Sequence, residues 1–111
     1  MNPAGRRAER RARLHYLLRG YRVLETNSRP GKVEVDLIAR RGRRIVFVEV
    51  KAKMGDRFGD PAEMVGPEKQ ERLRRAAEAW LAQHPEAMDW QVRFDILSVT
   101  RRRVSRVANA F

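Results

Sequence analysis

Apolar residues in the first part of the chain fall at Ala8, Ala12, Leu14, Tyr16, Leu17 and Leu18, a spacing that suits burial along a helix, with no proline in the interval. This predicts a first helix over residues 4–19, closed by Gly20, because glycine takes the left-handed conformation of a helix end at little cost. Residues 21–25 form a short strand, and Asn27-Ser-Arg-Pro-Gly31 supplies the turn formers that end it. Residues 33–39 and 44–51 are rich in β-branched side chains and are separated by Arg40-Arg-Gly-Arg43, which predicts an antiparallel hairpin. If Gly42-Arg43 is a two-residue turn, Leu37 faces Val48, Asp36 faces Glu49 and Glu34 faces Lys51. Because side chains alternate, Glu34, Asp36 and Ile38 then share a face with Ile45, Phe47, Glu49 and Lys51.

Residues 54–66 hold glycine and proline without a period and read as a loop, with the character of a lid, leaving the charged end of the hairpin. Pro67 suits the first turn of a second helix over 67–83, whose stripe is Leu73, Ala76, Ala77, Trp80 and Leu81. Residues 91–99 alternate as a strand, with Arg93 and Asp95 on one face as a pair, and 104–111 return as a short final strand. The fold class is α/β, a central mixed sheet flanked by helices, in one domain over residues 1–111.

Charge changes the picture from a fold to a partner. Twenty-five Lys and Arg against 14 Asp and Glu leave +11, a field that attracts polyanions such as DNA or RNA. No apolar run approaches the roughly 20 residues of a membrane span, and the arginine-rich start lacks a secretory pattern, so a cytoplasmic protein without a membrane partner is expected. Zero cysteines exclude disulfides, thiolate zinc sites and thiol nucleophiles. His15 and His84 have no ligand spacing, so any metal rests on oxygen donors. Trp80 and Phe94 fit core stripes better than base-stacking platforms.

Carboxylates inside strands are unfavourable unless a positive charge meets them. Asp36 and Glu49 beside Lys51 therefore ask for a cation such as Mg²⁺ or Mn²⁺, and a lysine near such a pair suits phosphodiester hydrolysis. The plain alternative is a cross-strand salt-bridge cluster on a sheet face.

Asp36 followed by Glu49-Val50-Lys51 resembles the PD-(D/E)XK nuclease superfamily. More closely, the chain resembles the YraN family of small bacterial proteins with an endonuclease-like fold. The likeness runs through Glu9, Gly20-Tyr21, Asn27, Arg29, Glu34-Val-Asp-Leu-Ile-Ala39, Val46-Phe-Val-Glu-Val-Lys51, Phe58-Gly59, Pro61, Lys69, Arg93-Phe-Asp95 and Asn109-Ala-Phe111. It departs at Val33, Ala8 and Lys53, none of which removes a metal ligand. The resemblance implies a restriction endonuclease-like fold and a Mg²⁺- or Mn²⁺-dependent nuclease acting on DNA or RNA. Asp36 and Glu49 would be the metal carboxylates, the Val50 carbonyl a further ligand and Lys51 the catalytic lysine. Glu9 would complete the shell from the first helix, Glu34 would support it, and Lys69, Lys53 and Arg29 would contact nucleic acid. A homodimer, in which a second subunit grips the substrate, stays open, as does a catalytically idle nucleic-acid-binding accessory module with the same fold.

Overall fold

The computed structural model describes the backbone of residues 3–52 and 65–111 and the side chains of 5–52 and 65–111. Five strands form one sheet in sequence order: β1 (Arg22–Ser28), β2 (Val35–Arg41), β3 (Arg44–Ala52), β4 (Gln91–Val99) and β5 (Val104–Val107). Every neighbouring pair is antiparallel except β3 and β4, which run parallel. Parallel neighbours need a long crossover, and α2 (Pro67–Ala82) provides it; α1 (Pro3–Leu17) precedes the sheet. The result is the mixed α/β architecture expected, compatible with a restriction endonuclease-like fold.

Each helix covers a different face. Ala8, Ala12 and Tyr16 of α1 pack with Leu37, Ala39, Val46, Val48, Leu97 and Val99. Leu73, Ala76, Ala77 and Trp80 of α2 pack with Ile38, Ile45, Phe47, Phe94 and Ile96. With both faces covered, β3 is buried continuously from Ile45 to Glu49, which explains its unbroken apolar run. Among the described residues, no helix is long and apolar enough to cross a membrane.

The end of α1 follows the glycine rule. Gly20 sits at φ +83°, its amide donates to the Leu17 carbonyl at 3.1 Å, and the Tyr21 amide donates to the Tyr16 carbonyl at 3.0 Å. The same two tyrosines meet edge to face at 5.3 Å, the apolar contact that accompanies this cap.

Three strands differ from expectation by two residues or more at one end. β1 runs to Ser28, because Thr26 and Ser28 pair with Leu37 and Val35 and the sheet absorbs the turn formers; the chain turns later, at Gly31 and Lys32, both of positive φ. β2 begins at Val35, so Glu34 stands before the strand, exposed, instead of opposite Lys51 inside it. β5 stops at Val107, after which Asn109 takes positive φ and Phe111 stacks on Phe94 at 5.0 Å. Asp95 does not pair with Arg93; it accepts hydrogen bonds from the Tyr16 hydroxyl at 2.7 Å and the Asn109 amide at 2.9 Å.

Candidate metal centre

Gly42 and Arg43 close the β2–β3 hairpin with Gly42 at φ +60°, and Arg41 pairs with Arg44 across the turn. The ladder then runs through Ala39–Val46 to Leu37–Val48, the expected register. Asp36 and Glu49 are the next residues, one step past the last paired position. Alternation from Ile38 and Phe47 turns both carboxylates toward the α2 face.

Glu49 is 5% exposed, and an ionised carboxylate at that depth needs positive partners. It has two. Lys51 Nζ lies 3.2 Å and Lys69 Nζ 3.1 Å from the same oxygen, Oε1. The Asp36 carboxylate accepts the Val50 amide at 2.7 Å, so its side chain satisfies a β3 amide beyond the hairpin ladder. Burial, then the Glu49 charge and more weakly Glu34, push the Asp36 carboxyl up to about 6, against the pull of the Val50 amide and Lys69.

Lys69 is thus part of the carboxylate cluster. The sequence carries a signal for this: Lys69 falls four residues before Leu73 and seven before Ala76, on the backward extension of the buried stripe of α2. A lysine on an apolar stripe is either misplaced or paired, and here it is paired.

The other candidates lie around this core. Glu9 accepts a hydrogen bond from Asn27 Nδ2 at 3.2 Å and lines a groove of about 550 Å³ with Arg6, Arg7 and Arg10. Asn27 stands between Thr26 and Ser28, which pair with Leu37 and Val35, so it is level with Asp36 on the neighbouring strand. Glu9 therefore approaches the acidic end of the sheet from the α1 side, with Asn27 in between. Arg29 is exposed, with one long contact, 3.4 Å, to the Lys32 carbonyl. Lys53, Phe58-Gly59, Pro61 and the lid expectation for 54–64 lie outside the described residues.

Among the described residues, no three acidic or imidazole side chains come together as a metal set. Asp36 and Glu49 are the two carboxylates that the hairpin brings to this end of the sheet. That donor set suits Mg²⁺ or Mn²⁺, which accept one or two carboxylates and complete their octahedron with water and phosphate oxygens. The raised Asp36 carboxyl fits the same reading, since two anions held close favour either a proton or a cation between them.

One consequence can be measured without metal. Lys69→Met removes a cation that favours ionised Asp36, so the Asp36 carboxyl should titrate above its position near 6, whereas Glu49→Gln should bring it below. Side-chain carboxyl NMR titrations of both variants check the two signs; a Lys69→Met midpoint at or below that of the parent chain would break the assigned geometry.

The profile of the family described as uncharacterised protein family UPF0102 matches residues 8–99. A UPF0102 protein of Frankia alni is 44% identical, with 93% of this chain and 85% of the relative covered. One from Nitrobacter winogradskyi is 41% identical over 93% of this chain and 86% of its own length. A more divergent one, from Thermodesulfovibrio yellowstonii, is 34% identical over 96% and 94%.

Proposed function

This chain belongs to the family UPF0102, and from that premise and the chemistry of its acidic cluster we propose that it is a metal-dependent nuclease that hydrolyses phosphodiester bonds in DNA or RNA. The observation that carries the reading is the placement of Asp36 and the buried Glu49 as the residues that follow the last hairpin pair, with Lys51 on the Glu49 carboxylate. Asp36, Glu49 and the Val50 carbonyl would hold Mg²⁺ or Mn²⁺. A bound divalent ion would polarise the scissile phosphate and make water a better nucleophile at neutral pH.

The chain's own groups do the rest. Lys51 brings an ammonium to the carboxylate pair, where it offsets negative charge growing on the phosphate and orients the attacking water. Lys69 places a second positive charge there from the start of α2. The net charge of +11 draws the polyanion to the surface, and Arg6, Arg7 and Arg10 offer it phosphate contacts at the start of α1. Lys53 and Arg29 remain proposed nucleic-acid contacts, and Glu9 a proposed supporting acid acting through Asn27.

A second reading, an idle nucleic-acid-binding accessory module, has one observation in its favour: both lysines already neutralise Glu49. One experiment separates the two. Labelled single-stranded, duplex, flapped and branched substrates are incubated with Mg²⁺, with Mn²⁺ and with a chelator. Cleavage that needs the metal supports the nuclease; salt-sensitive binding with every substrate left intact supports the accessory module, and neither binding nor cleavage removes both.

A further inference from the structure

The face opposite the carboxylate pair holds a second concentration of charge. Past the C-terminal end of α1, Arg41 of β2, Arg44 of β3, Arg93 of β4 and Arg106 of β5 join Arg19 around a cavity of about 180 Å³. Their common face follows from the sheet: Arg41 pairs with Arg44, Val46 with Arg93 and Leu97 with Arg106, and Val46 and Leu97 belong to the α1-side core. Arg41 and Arg44 flank the hairpin turn while Glu49 lies five residues further along β3 and faces α2, so this cavity and the carboxylate pair occupy opposite faces of the sheet.

The charges in this cavity are not balanced. Among the described residues, the single carboxylate lining it is Asp95, and its two oxygens are engaged by the Tyr16 hydroxyl and the Asn109 amide. Among the described residues, none of the five arginines forms an ion pair with a carboxylate. Their acceptors are neutral: Arg19 donates to the His15 carbonyl at 2.9 Å, Arg41 to the Arg19 carbonyl at 3.1 Å, and Arg44 to Gln91 Oε1 at 2.9 Å and the Tyr21 hydroxyl at 3.3 Å. Arg93 Nε is buried with no acceptor at all. A buried donor without a partner costs free energy, and five guanidiniums around one small space repel each other, so the arrangement asks for an anion with several acceptor oxygens.

We propose that this arginine row binds a single phosphate group. The cavity is too small for a whole nucleotide, for which pockets of about 300 Å³ or more are usual, and matches one tetrahedral anion with water. Guanidinium forks suit that anion because they give paired, charge-assisted hydrogen bonds. Free phosphate and a nucleic-acid backbone both present this group, and the site does not depend on the nuclease reading. A neighbour registers the same field: burial, Arg19 just past its own helix and Arg106 of β5 push His15 down to about 4, against the opposing charge of Asp95 on β4.

The test uses the full chain with ¹⁵N-labelled arginine and histidine. Inorganic phosphate, and separately a single-stranded oligonucleotide, are titrated against chloride at matched ionic strength while the Arg93 Nε–Hε and His15 ring signals are followed. Saturable shifts of Arg93, with His15 titrating at higher pH once the anion is present, support the site. Free phosphate sufficient to produce them identifies the small ligand, and shifts with the oligonucleotide alone identify the backbone. R93Q and the exposed R41Q should each weaken phosphate binding roughly tenfold while thermal melting shows them folded. Shifts no larger than with chloride, or binding that survives both arginine substitutions, would overturn the proposal.

Discussion

Asp36→Asn and Lys51→Ala are each expected to lower metal-dependent cleavage by at least about a hundredfold, the scale on which single charge-stabilising groups act in active sites. The asparagine side chain keeps the shape of Asp36 and an oxygen to accept the Val50 amide, a bond of 2.7 Å in the parent chain, so the fold should survive while the negative ligand is lost. In Lys51→Ala, Glu49 retains Lys69 at 3.1 Å, so its buried charge is not orphaned and the loss reports on Lys51 itself. pH supplies a second arm. The Asp36 carboxyl sits near 6 instead of its usual 3.8, and metal binding requires the ionised form, so metal affinity and cleavage should fall as pH drops through 6. For folding the sign reverses: the folded chain holds the Asp36 proton more tightly than the unfolded chain, so this group adds stability as pH falls from about 6 toward 4. Residual cleavage equal in both variants and in the parent chain would identify a contaminant and end the enzyme claim.

The hairpin is legible in the sequence because a two-residue turn with Gly42 fixes every later pairing by arithmetic, and an apolar face on each side leaves no room for a slipped register. α2 and β4 are legible from their periods, and β4 has the expected limits Gln91–Val99. β1 reads too short for a tertiary reason. Asn27 and Ser28 are poor strand residues, but pairing with β2 holds them in the sheet at the price of positive φ at Asn27. Alternation alone extends β2 back over Glu34, because it cannot detect that the strand starts at Val35.

The candidate site is only half legible. Asp36, Glu49 and Lys51 sit on two adjacent strands, where register determines proximity. Lys69 comes from a helix, 18 residues downstream of Lys51, and its place on Glu49 depends on how α2 docks, which the stripe hints at without fixing. The arginine row is less legible still. Its members are scattered from Arg19 to Arg106, and only sheet order and the end of α1 gather them. Arg93 and Asp95 look like an ion pair when read along β4, yet Tyr16 and Asn109 claim the carboxylate from outside the strand.

Phe47→Ala is the substitution expected to damage the fold most, by about 3–5 kcal/mol. The ring is 1% exposed on β3, two residues before Glu49, edge to face with Trp80 of α2 at 6.0 Å and stacked near Phe94 of β4 at 5.8 Å. Truncation leaves a cavity where α2 meets the centre of the sheet, and these neighbours are themselves held: Trp80 Nε1 donates to Glu25 of β1, and Phe94 is covered by Phe111. Partial collapse would therefore strain partners already committed elsewhere, which argues for the upper part of that range. Phe47→Leu, which keeps most of the volume, should cost about 1.5 kcal/mol or less. Denaturant unfolding of the two variants checks the pair; a loss under about 1 kcal/mol for alanine would mean that α2 does not depend on this contact. The damage should also reach the site. Lys69 meets Glu49 from α2, which packs on Phe47 among other sheet residues, so loosening that contact should raise the Asp36 carboxyl in the same direction as Lys69→Met, in a chain whose charged residues are all intact.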